Sequence, residues 1–289
     1  MAATPASAYA TAPVIPSAPR TLTTFDTTEH VDAQGCPFWV LRTAHFGLVM
    51  TRIEGHALFD VRHVEEAMVV APASLRVTIA AGGERLDSRG DTLFILPPGA
   101  GTIEAQGSGH LARIVGAQDL AAFDHAINAG DYIRAASGVR AFEAWPAPRD
   151  GYRLRRYALD AYADPTLPGR AFRCTNLMVN ITDVYPGKRD SRKLKPHSHD
   201  DFEQITLTYA GRFAHHLRTP WGADSTRWQP DEHLEVGSPA ALALPAGLVH
   251  TSQALEAGCW LVDIFGPPRL DFSLMPGFVR NDGEYPLPE

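Results

Sequence analysis

Residues 188–200 read KRDSRKLKPHSHD, and the stretch Pro196-His197-Ser198-His199 within them decides how the rest of the chain is read. Gln204 follows His199 after four residues, Gly211 follows after six more, and Pro245-Ala246-Gly247-Leu248-Val249-His250 comes later. Side chains alternate along an extended segment, so histidines at i and i+2 share a face. Three imidazoles (His197, His199, His250) and one amide oxygen (Gln204) are thereby candidates for a single divalent metal. Imidazole suits Zn, Cu, Fe and Ni alike, so ligand type does not choose the ion. Neutral ligands leave the charge of such an ion uncompensated, which strengthens it as a Lewis acid and draws carboxylate or enolate groups towards it.

Around this motif the chain reads mainly as strands. Leu75-Arg76-Val77-Thr78-Ile79 alternates apolar and polar residues, Gly82-Gly83 and Arg89-Gly90-Asp91 are turn signals, and Thr92-Leu93-Phe94-Ile95-Leu96 ends at Pro97-Pro98-Gly99. The second half repeats this grammar. Gln204-Ile205-Thr206-Leu207-Thr208 is a strand, Gly211 a turn, and Ala241-Leu242-Ala243-Leu244 a strand closed by Pro245-Ala246-Gly247. Sliding one half on the other by about 137 positions pairs Glu66 with Glu203 and Ser74 with Gly211, so two similar all-β units are expected. Between them Leu120, Phe123 and Ile127 have helical spacing, which predicts a helix from about Asp119 to Arg134. Trp145-Pro146-Ala147-Pro148 reads as a linker. Short strands with Gly and Pro turns point to jelly-roll barrels. The expected organisation is a disordered tail over 1–20, a first unit over 21–140 and a second over 141–289.

Composition narrows the setting. A length of 289 residues with 45% hydrophobic and 20% charged residues is ordinary for a soluble globular protein of one large or two average domains. A net charge of −7 argues against a nucleic-acid partner. Cys36, Cys174 and Cys259 are few, odd in number and far apart, which is no disulfide framework and suits a reducing cytoplasm. No apolar run of about 18 residues predicts a membrane span. The first twenty residues are rich in Ala, Pro, Thr and Ser, with Arg20 the only charge, and lack a signal-peptide pattern.

The second half resembles the cupins. Their pattern is His-x-His, three or four residues, Glu or Gln, six residues, Gly, and later Pro-x-Gly-x-x-His. His197, His199, Gln204, Gly211, Pro245, Gly247 and His250 fit it. Glu203 also falls within the permitted spacing, and strand alternation makes it and Gln204 exclusive alternatives; the gap to Gly211 favours Gln204. Within the cupins, Glu203-Gln204 and the stretch from Asp263 to Phe272 resemble the small pectin-degradation cupin that acts on unsaturated galacturonate. That resemblance covers about residues 190–272 and implies metal ligands His197, His199, Gln204 and His250, with Asp263, Phe265 and Arg269 at the substrate. The family's Ser in its Phe-Ser-Pro-Pro-Arg stretch is Gly266 here. The first half also looks like a cupin, but its corresponding positions are Asp60, Arg62, Ala67 and Thr102, which do not form a metal site. It is expected to be a structural or dimer-forming partner.

Each remaining residue has a structural and a functional reading. Arg269 is a surface residue after a Pro-Pro turn, or a bidentate clamp on a carboxylate. Asp263 is a hydrogen-bond acceptor or a general acid/base, and Phe265, on the same face, is core or pocket wall. The basic run Lys188, Arg189, Arg192, Lys193, Lys195 is a solvated loop or steers anions. Of His215 and His216 only one can face inward. The expected function is a metal-dependent enzyme (Fe, Ni, Mn or Zn) that isomerises, tautomerises or ring-opens a small carboxylated substrate, a sugar acid or keto acid. The alternatives are a non-haem iron dioxygenase and a non-catalytic small-molecule-binding cupin. A homodimer is expected as a possible assembly.

Overall fold

The computed structural model describes residues 13–28, 30–119, 124–132, 139–167 and 169–289. The first unit is built on an antiparallel sheet of β2 (Phe38–Arg42), β3 (Phe46–His63), β8 (Gly99–Gly116), β4 (Ala67–Ala71), β7 (Thr92–Leu96) and β9 (Arg155–Ala158), in that spatial order. β5 (Leu75–Ala81) adds to the far half of β8, and β6 (Glu84–Asp87) pairs with β5. β3 and β8 pair along their whole length, from Phe46 opposite Gly116 to His63 opposite Gly99. β4 pairs with one half of β8 and β5 with the other, so these two long strands carry both walls of the barrel.

The second unit has a six-stranded sheet of β1 (Thr21–Thr24), β15 (Ala240–Leu244), β12 (Gln204–Ala210), β17 (Trp260–Phe265), β11 (Met178–Ile181) and β10 (Arg170–Arg173). Its second wall is β14 (Glu232–Gly237), β13 (Arg212–Arg218) and β16 (Val249–Ala254). Sheet membership crosses the expected boundary between 140 and 141 in both directions. β1 opens the expected first unit yet pairs with β15, and β9 lies in the expected second unit yet pairs with β7. A sheet edge carries unpaired backbone groups, and each unit here lends the other a strand that covers one.

The large sheets pack against each other, and their strands are apolar on both faces because both faces are buried. In β7, Leu93 and Ile95 face the core between the units, whereas Phe94 and Leu96 face the first barrel's interior. β15 does the same with Ala241 and Ala243 towards the other unit and Leu242 and Leu244 inward. Small residues on one face and large ones on the other let the sheets approach while filling the barrel.

Two expectations need correction. Residues 13–20 are not a free tail: Ala18 is buried and Arg20 Nε lies 2.7 Å from Glu232 Oε2; residues 1–12 lie outside the described residues. The predicted helix from Asp119 to Arg134 falls partly outside them too, with Leu120, Phe123 and Arg134. Where the segment is described, it is a string of turns with one short 3-10 turn, Ala129–Tyr132. The Ile127 amide donates to Val40 O at 2.9 Å, and Ala126 bridges to Val40. The backbone there pairs with the edge of β2, which leaves the Ile127 side chain half-exposed while Ala126 is buried.

Candidate metal centre

The three sequence-predicted histidines converge. His197 and His250 face each other across an isolated antiparallel bridge, with His197 N donating to His250 O at 3.1 Å and the reverse bond at 2.8 Å. Residues directly opposed in this way project to the same side. His199, two residues on, joins them, and its carbonyl accepts the Gly247 N–H at 2.7 Å. The ring centroids are 4.5 to 5.2 Å apart, and one ligand atom from each ring lies within 4.8 Å of the others. Among the described residues this is the group of His, Cys, Asp or Glu side chains able to hold a metal ion.

Two glycines of the motif are there for steric reasons. Gly211 has φ +77°, and a Cβ on it would sit 2.8 Å from Cys259 Cα. Gly247 has φ +84°, and a Cβ would strike the Val14 backbone oxygen, on the segment leading into β1. Both positions combine a left-handed conformation with a close backbone approach, which excludes other residues.

Two of the three tautomers are set for metal binding. His197 Nδ1 contacts Lys195 O at 3.1 Å, and His250 Nδ1 contacts Leu248 O at 2.9 Å. An Nδ1–H donated to a carbonyl leaves the Nε2 lone pair free to ligate. His250 Nε2 is buried with no hydrogen-bond partner, a vacancy in polar pairing that a metal would fill. Burial, assisted by Arg269 and the other two rings, holds His199 down to about 2, and burial likewise holds His250 down to about 4. Both therefore stay in the neutral form that binds metals.

Gln204, not Glu203, faces the histidines. Gln204 Oε1 lies 3.1 Å from His199 Nε2, while its Nε2 donates to Thr206 Oγ1 at 2.7 Å and Asp263 Oδ1 at 2.8 Å. The amide is thus fixed with its oxygen towards the cluster. Glu203 points the other way, into the first unit, where it accepts from the Ala44 amide at 2.6 Å and the Tyr132 hydroxyl at 2.8 Å. Three imidazoles plus a carboxamide oxygen are a donor set that a divalent transition metal accepts.

Asp263 stands behind Gln204. It also accepts from Thr206 Oγ1 at 2.8 Å, and burial raises its pKa against the pull of Thr206, His197, Arg269 and Gln204. Strand alternation places Leu261, Asp263 and Phe265 on a cavity of about 630 Å³, while Trp260, Val262 and Ile264 enter the core between the units. His197, Gln204 and His250 line the same cavity.

Arg269 reaches this cavity and is buried, not a surface residue. Its guanidinium lies 3.6 Å from the Phe272 ring centroid, 5.0 Å from Phe265 and 5.3 Å from Phe202. Its Nε and Nη2 already donate to the two oxygens of Asp271, at 3.0 and 2.5 Å. The fork expected to clamp a substrate carboxylate is therefore engaged by the chain's own carboxylate.

Several lining residues were not singled out from the sequence. Asn180, opposite Asp263 in register, and Tyr185 come from the strand and loop before the motif. Arg189 and Lys195, read only as part of a basic run, also line the cavity, and Arg189 is anchored by Nη1 donating to Ser252 O at 2.8 Å. The basic run carried a signal for them, but which of its five cations turn inward depends on the loop's path. His215 is the inward member of its pair, with Nδ1 2.9 Å from Ser252 Oγ, and burial holds it down to about 4. His216 meets His233 edge-to-face on the outer face, their ring centroids 4.9 Å apart.

Among the described residues the first unit has no corresponding centre. Asp60 and Thr102 oppose each other, as His197 and His250 do, but Asp60 and Arg62 are exposed and Ala67 is buried.

No family model and no curated protein matches this sequence. Solved structures do. Protein Ylba from E. coli superposes with a TM-score of 0.55 at 12% identity, covering 89% of this chain and 94% of that one. Oxalate decarboxylase of Bacillus subtilis gives 0.55 at 12% identity, covering 88% and 81%. The Lactobacillus farciminis oxalate decarboxylase formate complex gives 0.55 at 10% identity, covering 86% of each. These neighbours are cupin-fold proteins, and this chain has the same all-β fold, a pair of cupin jelly rolls.

Proposed function

We propose that this chain is a metal-dependent cupin enzyme acting on a small carboxylated substrate, a sugar acid or keto acid, without net redox change. The observation that carries the proposal is the convergence of three imidazoles, two of them anchored on backbone carbonyls, and the Gln204 amide oxygen beside a half-buried carboxyl group. A bound divalent ion would polarise a carbonyl or hydroxyl oxygen of the substrate. His197, His199, Gln204 and His250 would hold it, with Asp263 supplying negative charge one hydrogen bond behind Gln204. Among the neighbours, the Bacillus subtilis enzyme is described with Mn(II) centres and oxalate as its substrate, which makes manganese and a small carboxylate the first candidates to test.

The protein's own groups supply the rest. Arg189, Lys195 and Arg269 make the cavity positive and favour an anion. Arg269 is held flat by three phenylalanines, and a substrate carboxylate would take the place of Asp271 on its fork. Asp263 has a raised pKa and faces the same space, so it is suited to move a proton between neighbouring carbon or oxygen atoms. Phe265 packs beside the histidines, with its ring 6.1 Å from that of His199, and keeps water from that side.

The decisive experiment is elemental analysis of the purified protein beside its His250→Ala variant, with circular dichroism as the check on folding. About one equivalent of metal in the wild type, lost in a folded variant, is expected. Retention of a full equivalent by the variant would sink the ligand assignment. Manganese, nickel or zinc directs assays to isomerisation and lyase chemistry on unsaturated and keto sugar acids. Iron with Fe(II)-dependent consumption of dioxygen replaces the proposal with a dioxygenase. Absence of metal after reloading replaces it with a binding protein.

A further inference from the structure

The first unit has a cavity of its own, of about 630 Å³, lined by Val40, Val49, Val61, Val115, His63 and Arg113 among others. Strand alternation puts Leu111, Arg113 and Val115 of β8 on this side, while Ala112 and Ile114 enter the core between the units. This is the same division that sends Asp263 into the second unit's cavity.

Register makes the correspondence specific. Arg113 pairs across β3 with Val49 and across β4 with Val69. Asp263 pairs across β11 with Asn180 and across β12 with Thr206. The repeat offset of about 137 carries Val69 onto Thr206 and Ala67 onto Gln204. Every side chain that hydrogen-bonds the charge in the second unit thus has an apolar counterpart in the first. Arg113 has no hydrogen-bond or ion-pair partner among the described residues, and its Nε is buried without one; its nearest ring is Phe59, 5.6 Å away.

Arg113 is half-buried, and a guanidinium nitrogen such as its Nε, kept from water without a partner, is unfavourable and calls for an anion. Nearby charges do not pair with it: Asp32, whose negative charge acts on Arg113, forms no ion pair with it and accepts the Gln34 and Cys36 amides on Oδ1. Asp119 Oδ1 accepts the Val64 amide at 2.8 Å, and its Oδ2 faces His63 Nδ1 at 3.5 Å, both of those facing atoms buried without a hydrogen bond. Asp60 and Arg62 also line the cavity, are exposed to solvent and carry opposite charges.

We propose that this cavity is a second, metal-free ligand site that takes a small carboxylate with an apolar body, its carboxylate on Arg113 and its body against the valines. The unit without metal ligands is then a binding unit and not only a scaffold.

The test uses the full chain carrying His250→Ala, which removes the metal centre, titrated calorimetrically with benzoate, hexanoate and the neutral isostere benzamide. Saturable binding of at least one carboxylate, tighter than benzamide, is expected. Arg113→Met in that background should weaken it roughly ten- to a hundredfold, the range for a charged hydrogen bond. Arg113→Lys should restore part of it. Without ligand, the Arg113→Met protein should melt no lower than its parent, since the arginine has no partner to lose, and benzoate should raise the melting temperature of the parent only. No saturable binding of either carboxylate overturns the proposal. So does equal affinity with Met at position 113, or a large loss of stability in that variant without ligand, which would make Arg113 structural.

Discussion

At the scale of single residues, the site divides into groups that hold and a group that reacts. His197 and His250 are oriented by carbonyls two residues before each of them, an arrangement local to the chain. Gln204 is oriented by Asp263, which lies far away in sequence. Asp263→Asn can still accept the Gln204 and Thr206 hydrogen bonds, so the variant should fold and bind metal as the parent does. It cannot take up a proton, and turnover of the carboxylated substrate should fall by roughly a hundred- to ten-thousandfold. Steady-state kinetics with metal content measured on the same sample checks this; unchanged kcat would reduce Asp263 to a prop for Gln204. The three histidines and Gln204 were legible in the sequence because their spacing follows strand alternation and a tight Gly turn. The engagement of Arg269 by Asp271 was not legible, since both readings of Arg269 fit the same Pro-Pro-Arg string.

At the scale of elements, the strands were largely legible and their partners were not. β7 occupies the residues read as a strand, and β5, β12 and β15 extend theirs by one or two. Nothing in Thr21–Thr24 announces that it will leave the unit it opens and pair with β15. Phe25 follows it, buried, with its ring 5.6 Å from Trp39 in an edge-to-face contact. It therefore pins the exchanged strand to the core between the units. Phe25→Ala should cost about 3–5 kcal/mol in urea unfolding, the range for removing a buried phenylalanine. A cost under about 1 kcal/mol, the scale of a surface change, would mean that β1 is not held there.

At the scale of the whole molecule, the two units are joined by reciprocal latches. Glu66 of the first unit accepts from Thr175 N at 3.0 Å, Thr175 Oγ1 at 2.9 Å and Tyr285 OH at 2.8 Å. Glu203 of the second makes the equivalent contacts to Ala44 and Tyr132. These are the two residues that the sequence repeat superposes. Burial raises Glu66 above the ordinary carboxylate range, although Thr175 and Tyr285 oppose the shift. The folded chain thus holds this proton more tightly than the unfolded chain. Stability should fall as pH rises from the ordinary carboxylate value to the raised one, and level off beyond it. Glu66→Gln should remove that part of the fall, measured as urea midpoints across the acidic range; superimposable profiles would show that the group titrates normally. Because β1 and β9 are exchanged and one core serves both sheets, fragments 21–140 and 141–289 expressed separately should lack cooperative unfolding and near-ultraviolet dichroism. An independently folding 141–289 fragment would contradict the shared core.

The chain's local patterns were enough to specify an all-β, twice-repeated architecture, a His-x-His face and its two glycine turns. Each rests on interactions within a few residues: alternation, turn geometry and the exclusion of a Cβ. Three further features depend on residues brought together from distant parts of the chain. These are the docking of Glu203 into the first unit, the inward turn of Arg189 and Lys195, and the isolation of Arg113 among Val49, Val69 and Ala67. The gap to Gly211 already favours Gln204 on the motif's face, but where the outward Glu203 goes is decided only when a second sheet offers it an amide and a tyrosine hydroxyl. An arginine on a strand is unremarkable until register surrounds it with valines. Local sterics operate before the sheets meet, whereas burial and charge pairing exist only after they have met.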